Sequence, residues 1–100
     1  MYITRRERFS AAHKLENTNL NTKENKQLFD KCNNLHGHNY ELFVTVTGDI
    51  KPNSGFIIDL KDLKKIIQEK IINKLDHNYI NDVDFMKNEI TTTENLCFQI

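Results

Sequence analysis

The residues best suited to chemistry in this sequence are its four histidines, His13, His36, His38 and His77. His36 and His38 are separated by one residue, and side chains two apart on a β-strand point to the same face. Imidazoles that converge in this way are costly to protonate when buried and well placed to share a metal ion. A His-x-His pair on its own is nevertheless a weak indication of a metal site.

His13 is the candidate third ligand. It follows Phe9-Ser10-Ala11-Ala12, where small side chains leave room for another segment to approach. Three histidines with one open coordination position form the usual catalytic zinc arrangement. The spacing fits equally well a surface or hydrogen-bonded histidine that holds no metal.

The two cysteines lead to different predictions. Cys32 lies four residues before His36, so its thiol is a candidate fourth ligand of a closed site or, alternatively, a nucleophile or base beside the metal. Cys97 lies between Leu96 and Phe98, where a buried and unreactive thiol is the usual outcome.

Asp76 and His77 form a third candidate group, directly after Leu75. A carboxylate beside a histidine can orient the imidazole for acid–base work. The pair is also typical of a helix C-terminus, where the histidine interacts with the last carbonyl groups, and this local interpretation is the simpler one.

Strand patterns position these groups. Tyr2–Phe9 carries β-formers and predicts a strand. Apolar residues alternate with mostly polar ones from Tyr40 to Val46, which predicts a half-buried strand whose inner face continues back to His38 and His36. A turn over residues 48–55 and a short strand over residues 56–58 are expected to follow.

Helix patterns are clearest in the second half of the chain. Asp59 is the predicted N-cap of a helix that carries apolar residues at helical spacing: Leu60, Leu63, Ile67 and Ile71. A second helix is expected to begin within the capping-box pattern of residues 91–94. The polar stretch Lys14–Lys31 predicts a long surface loop, a feature that is often functional.

Composition limits the function classes. Fourteen lysines and arginines balance 14 aspartates and glutamates, and this argues against a nucleic-acid-binding protein. No apolar run approaches the roughly 20 residues of a membrane-spanning helix, and residues 1–9 lack a secretion signal, so we expect a cytoplasmic protein with no membrane partner. One domain over residues 1–100 is so small that a metal or oligomerisation would help its stability.

Five short motifs occur in order along the chain: Phe9-Ser10-Ala11-Ala12-His13, Cys32-Asn33-Asn34-Leu35-His36-Gly37-His38-Asn39-Tyr40, Gly55-Phe56-Ile57-Ile58-Asp59-Leu60, Leu75-Asp76-His77 and Thr92-Thr93-Glu94-Asn95. Together they strongly resemble the 6-pyruvoyl-tetrahydropterin synthase / 6-carboxytetrahydropterin synthase family. The resemblance implies an α+β tunnelling fold, with an antiparallel sheet and two helices on one face. It also implies a homo-oligomer, commonly a hexamer built from two trimers.

The resemblance further implies a zinc-dependent lyase that acts on 7,8-dihydroneopterin triphosphate. The implied zinc ligands are His13, His36 and His38. The implied catalytic groups are the proton-abstracting Cys32 and a relay pair, Asp76 and His77. The implied pterin-binding edge consists of Thr92, Thr93 and Glu94.

Two branches of the family differ in product. The short Cys-x-x-x-His-Gly-His spacing favours the 6-carboxytetrahydropterin branch, which also releases triphosphate and acetaldehyde on the route to queuosine. The flanking residues 31–34 and 39–40 resemble the pyruvoyl branch of tetrahydrobiopterin synthesis equally well.

One departure from the family pattern affects the site. Family members carry a pterin-anchoring glutamate on strands that follow the Thr-Thr-Glu-Asn motif, and residues 1–100 contain no counterpart of those strands. We therefore expect the C-terminal part of the domain to be missing from this sequence. A non-catalytic zinc- or pterin-binding oligomer is the alternative from another function class.

Overall fold

Two long strands organise the fold in the computed structural model, which describes all 100 residues. Strands β1 (Tyr2–His13) and β2 (His36–Thr47) each contain 12 residues and pair antiparallel. The register runs from the pair Tyr2–Thr47 to the pair His13–His36. Strand β1 continues past its predicted end at Phe9, so both strands meet at a pair of histidines.

The connection between the strands is partly helical, and the prediction of a loop over Lys14–Lys31 was wrong there. Helix α1 (Thr22–Phe29) is followed by a 3-10 turn, Asp30–Asn33. A capping box begins α1, because Glu24 N–H donates to Asn21 Oδ1 at 2.8 Å and Asn21 N–H donates to Glu24 Oε1 at 3.1 Å. The helix is mostly polar, so its sequence carries little apolar periodicity.

The predicted central helix is present and is continuous over three segments. They are α2 (Leu60–Ile67), a π-helical turn (Gln68–Ile72) and α3 (Asn73–Leu75). Asp59 is its N-cap, as predicted, and Oδ1 of this residue accepts Lys61 N–H at 2.8 Å.

The predicted strand over residues 56–58 is absent. Gly55 has a φ of 77°, and its N–H donates to Lys51 C=O at 2.8 Å, so the chain folds back on itself before Phe56. The sheet has only two strands, and residues 56–58 pair with neither of them. Three apolar residues without a strand partner do not form a strand.

Two 3-10 turns and a last helix complete the chain. The turns are Ile80–Asp82 and Asp84–Met86, and α4 spans Thr93–Gln99. Thr92 is the N-cap of α4, and its Oγ1 accepts Asn95 N–H at 3.2 Å. The second helix was therefore predicted at the right place, but the predicted capping box of residues 91–94 was wrong by one residue, since the N-cap is Thr92 and its bond is to Asn95.

The apolar core lies on one face of the sheet. Phe9 and Ala11 of β1 pack there against buried residues of the second half of the chain, which are Leu63, Ile67, Ile72, Leu75, Ile80, Val83, Met86 and Leu96. Alternate residues of β2, beginning at Tyr40, border the same core. The architecture is α+β, as expected, and no helix combines the length and the apolar character needed to span a bilayer.

Candidate metal centre

Three of the four histidines meet at one end of the sheet. The register pairs His13 with His36 and Ala11 with His38, so the three imidazoles project from the core-facing side. Their ring centroids lie 4.6 to 5.1 Å apart. One nitrogen of each ring can be chosen so that all three lie within 4.8 Å of one another. The three rings are thus close enough to form a candidate site for a single metal ion.

Two of the rings are fixed by backbone carbonyl groups. His13 Nδ1 lies 2.8 Å from the C=O of Thr91, and His36 Nδ1 lies 2.6 Å from the C=O of Asn34. A carbonyl oxygen can only accept, so each ring carries a proton on Nδ1. In a neutral imidazole this places the lone pair on Nε2, as in metal-binding histidines whose other nitrogen donates to a backbone carbonyl.

His13 supplies the strongest indication that a metal fits. The residue is 6% exposed, and its Nε2 is buried without a hydrogen-bond partner. A buried polar atom without a partner is energetically costly, and a metal ion would remove that cost. Imidazole ligands suit zinc and other late transition metals, and three of them leave a position open for substrate.

The electrostatics of His13 agree with a ligand role. Burial lowers the pKa of His13, and the neighbouring rings of His36 and His38 lower it further, although the hydrogen bond to Thr91 acts in the opposite direction. The imidazole is therefore neutral at pH 7, which is the form that binds a metal.

His38 is supported by aromatic packing instead of a hydrogen bond. Its ring lies edge-on to Tyr40 at 5.7 Å, and Tyr40 stacks on Phe9 at 4.8 Å with an interplanar angle of 8°. Burial raises the pKa of Tyr40, so its phenol stays protonated beside the cluster.

The cysteines lie outside the histidine cluster. Cys32 has a free, exposed thiol on the 3-10 turn before β2, and its C=O accepts Leu15 N–H at 2.8 Å. The ligand cluster contains three histidines and no cysteine, which does not support a closed Cys-His₃ site. Cys97 is exposed, contrary to prediction, because the buried face of α4 is taken by Leu96.

Asp76 and His77 lie against the free edge of β1. Ser10 N–H donates to Asp76 Oδ1 at 2.9 Å, and His77 N–H donates to the C=O of Ser10 at 2.6 Å. The ring nitrogen Nδ1 of His77 lies 3.0 Å from Asp76 Oδ2, so the ring pairs with this carboxylate and not with the last carbonyls of the helix. His77 has a φ of 58° and a side chain that is 83% exposed.

The environment of this pair favours an ionised carboxylate. The Ser10 N–H and then the His77 ring hold the pKa of Asp76 below its usual value. A cleft of about 530 Å³ beside β1 is lined by both His77 and His38. One residue of the Asp–His pair, His77, and one of the histidine cluster, His38, thus border a common space.

The residues of the implied pterin edge are at the start of α4. Thr92 caps the helix, and Thr93 and Glu94 are exposed on its first turn. The residue before them, Thr91, was given no role in the site from the sequence, and neither was Asn34. Both act on the histidines through backbone carbonyls, and no residue-type pattern reveals such contacts.

The chain is similar to known proteins both in sequence and in structure. The family model described as "6-pyruvoyl tetrahydropterin synthase" matches residues 2–100. The chain belongs to this family. A 6-pyruvoyl tetrahydrobiopterin synthase of Dictyostelium discoideum is 47% identical over 95 residues, which cover 94% of this chain and 70% of that relative. The members of this pterin synthase family are lyases.

A more distant relative and a solved structure extend the comparison. An Archaeoglobus fulgidus protein, provisionally named 6-carboxy-5,6,7,8-tetrahydropterin synthase, is 36% identical over 92 residues, covering 92% of this chain and 65% of that protein. The structure of Caenorhabditis elegans 6-pyruvoyl tetrahydropterin synthase superposes with a TM-score of 0.90 at 39% identity, covering 99% of this chain and 73% of that one. The fold class that the resemblance implied is confirmed.

Proposed function

We propose that this protein is a 6-pyruvoyl tetrahydropterin synthase, which converts 7,8-dihydroneopterin triphosphate to 6-pyruvoyl-tetrahydropterin and triphosphate. The observation that carries the proposal is the cluster of three histidines, two with Nε2 freed by a carbonyl acceptor, beside an Asp–His pair. The 47% identity to a pyruvoyl synthase, against 36% to the archaeal carboxy relative, favours the pyruvoyl product. This reverses the preference drawn from the Cys-x-x-x-His-Gly-His spacing.

The proposed cofactor is Zn²⁺, held by His13, His36 and His38. When bound, the ion supplies Lewis-acid polarisation of substrate oxygens, which eases removal of the adjacent protons. The three imidazoles contribute no charge of their own, so they preserve the positive charge of the site. The carbonyls of Thr91 and Asn34 hold two of the rings in the required orientation.

The proposed acid–base groups are Cys32, Asp76 and His77. Cys32 Sγ takes a proton from the substrate side chain, and it is free and exposed for this role. Asp76 accepts from His77 Nδ1, which leaves His77 Nε2 as the atom that exchanges protons with substrate. Asp76 is itself fixed by Ser10 N–H, so its carboxylate stays in place while the ring works.

The proposed substrate contacts and assembly follow the family. Thr92, Thr93 and Glu94 are proposed to contact the pterin at the exposed start of α4. The domain over residues 1–100 is proposed to assemble as a homo-oligomer, a hexamer of two trimers. The two-stranded sheet supports this assembly, since the outer edge of β2 has no strand partner. A cytoplasmic location stays a prediction.

The 6-carboxy activity is the second candidate, because the short spacing between Cys32 and His36 favours it. Incubating the zinc-loaded, full-length protein with 7,8-dihydroneopterin triphosphate separates the two by mass spectrometry of the products. We expect 6-pyruvoyl-tetrahydropterin and triphosphate without acetaldehyde. Acetaldehyde with 6-carboxytetrahydropterin would establish the second candidate, and zinc binding without turnover would establish a non-catalytic oligomer.

A further inference from the structure

The orientation of His13 depends on residues far away in the sequence. Its Nδ1 donates to the C=O of Thr91, 78 residues later in the chain. The equivalent acceptor for His36 is the C=O of Asn34, only two residues before it. The His36 contact therefore belongs to one local turn, whereas the His13 contact requires that two distant segments be held together.

Thr91 is held by its own side chain. The residue is 1% exposed, and its hydroxyl lies 3.1 Å from the C=O of Lys14 and 3.2 Å from Asn81 Oδ1. The hydroxyl has one proton, which it can donate to either acceptor. Thr91 is thus bonded to the residue that follows His13 as well as to His13 itself.

Asn81 completes this connection. Its Nδ2 donates to the C=O of Lys14 at 2.9 Å, and its Oδ1 accepts Lys14 N–H at 3.2 Å. One side-chain amide therefore pairs with both backbone groups of Lys14, much as a neighbouring strand would. Lys14, Asn81 and Thr91 form a closed hydrogen-bonded cluster, here called the anchor cluster.

We propose that Thr91 and Asn81 are positioning residues that hold His13 as its Nδ1–H tautomer, so that the buried Nε2 stays available to a metal. A neutral imidazole can carry its proton on either nitrogen, and the fixed hydrogen bond selects between the two forms. If the Thr91 carbonyl moved away, the Nε2–H form would place a proton where the metal must bind. The inference rests on the metal site of the proposed function.

The anchor cluster also links the metal site to the start of α4. Thr91 directly precedes Thr92, the N-cap of that helix. A shift of α4 would therefore move the carbonyl that orients His13. The proposed pterin-binding residues and one proposed zinc ligand are in this way positioned by the same backbone segment.

The test uses Thr91→Val, which keeps the shape and removes the hydroxyl, and Thr91→Ser, which keeps the hydroxyl. Thr45→Val is the matched control, since its hydroxyl pairs with that of Thr4 at 2.8 Å on the exposed surface of the sheet. Zinc affinity is measured by competition with a chromophoric chelator, and the His13 tautomer by ¹⁵N shifts of its ring in metal-free protein. Both measurements use the full-length protein.

We expect Thr91→Val to weaken zinc binding about 10-fold, as loss of a group that orients a ligand does. The His13 ring should then show a fraction of the Nε2–H form, while Thr91→Ser and Thr45→Val resemble the wild type. If Thr91→Val does not fold, Asn81→Asp is used in its place. The oxygen that replaces Asn81 Nδ2 cannot donate to the Lys14 carbonyl and repels it, so we expect a smaller loss of zinc affinity and a smaller fraction of the Nε2–H form.

Unchanged affinity and tautomer in a folded Thr91→Val protein would overturn the proposal. An equal loss of affinity in Thr45→Val would also overturn it, since the effect would then be one of general stability. Neither measurement involves substrate, so a failure to turn over 7,8-dihydroneopterin triphosphate leaves the result intact. A wild-type protein that binds no zinc would refute the proposed metal site, and the ¹⁵N shifts would still decide the tautomer.

Discussion

The two ends of the β1–β2 ladder share one register but differ in their support. At the histidine end, the free edge of β1 is bonded to residues 76–81, including Ala12 N–H to the C=O of Asn78 at 3.0 Å. At the opposite end, Tyr2 is 74% exposed, and the Thr47 hydroxyl and Gly48 N–H both donate to the C=O of Met1. Strand pairing alone therefore does not explain how the histidine end of the ladder is held in place.

The difference lies in the side-chain hydrogen bonds that reach the backbone of β1 and of the residue after it. Asp76, Asn81 and Thr91 each bond to a backbone group of β1 or of the residue that follows it, all near the histidines. Such bonds fix the positions of individual side chains, whereas strand pairing fixes only the backbone.

The largest effect is expected from removing a proposed ligand. His36→Ala should purify with little zinc, because two imidazoles bind the ion far more weakly than three. Metal analysis after dialysis checks this, with His77→Ala as the control, since this exposed histidine lies outside the cluster. Undiminished zinc in His36→Ala would refute the ligand assignment.

A smaller but still large effect is expected from removing the thiol of Cys32, on the 3-10 turn before β2. Cys32→Ala should lower kcat by about 10²–10⁴, as the loss of a general base does, while keeping its zinc. Cys97→Ala, which removes the other exposed thiol, should keep both its zinc and its activity. Parallel loss of zinc and activity in Cys32→Ala would instead make Cys32 a ligand.

The smallest effect is expected in the pH dependence of stability. A carboxyl group whose pKa is lowered on folding stabilises the folded state above its unfolded pKa of 3.8, and this contribution is lost as the pH falls through the folded pKa. Wild type should therefore be more stable than Asp76→Asn at pH 7, and the gap should narrow as the pH falls below about 4 and close once the pH is below the lowered pKa of Asp76.

Denaturant unfolding across this pH range measures the gap. Asp49→Asn is the control, since Asp49 lies just beyond β2 at the opposite end of the ladder, and the structure shows no hydrogen bond or ion pair to its side chain. A gap between wild type and Asp76→Asn that stays constant from pH 7 to pH 3 would show that the Ser10 and His77 contacts do not stabilise the charged carboxylate.

Much of the fold could be predicted because side-chain periodicity is local. The alternation after Tyr40 and the N-cap at Asp59 were both right, since each depends on residues close together in the sequence. Helix α1 was missed because it is mostly polar. The strand predicted over residues 56–58 was wrong because a strand requires a neighbouring strand to pair with, and whether one is present depends on the whole fold.

Less of the candidate site than of the fold could be predicted from the sequence. That His36 and His38 share one face follows from the two-residue period of a strand. Placing His13 beside them requires the register between β1 and β2, which the spacing along the sequence does not give. The family resemblance supplied that step. The carbonyls of Asn34 and Thr91 could not be predicted, because every residue has a carbonyl and only the folded chain selects two of them.

The backbone of His77 has a consequence for how this position tolerates change. Its φ of 58° lies in the left-handed region, which costs a residue other than glycine about 1 kcal/mol or more. Glycine would relieve that strain and remove the imidazole in one step. A library of variants selected for heat resistance should therefore enrich glycine at position 77. A library selected for turnover should retain histidine there, so the two selections favour different residues at this position.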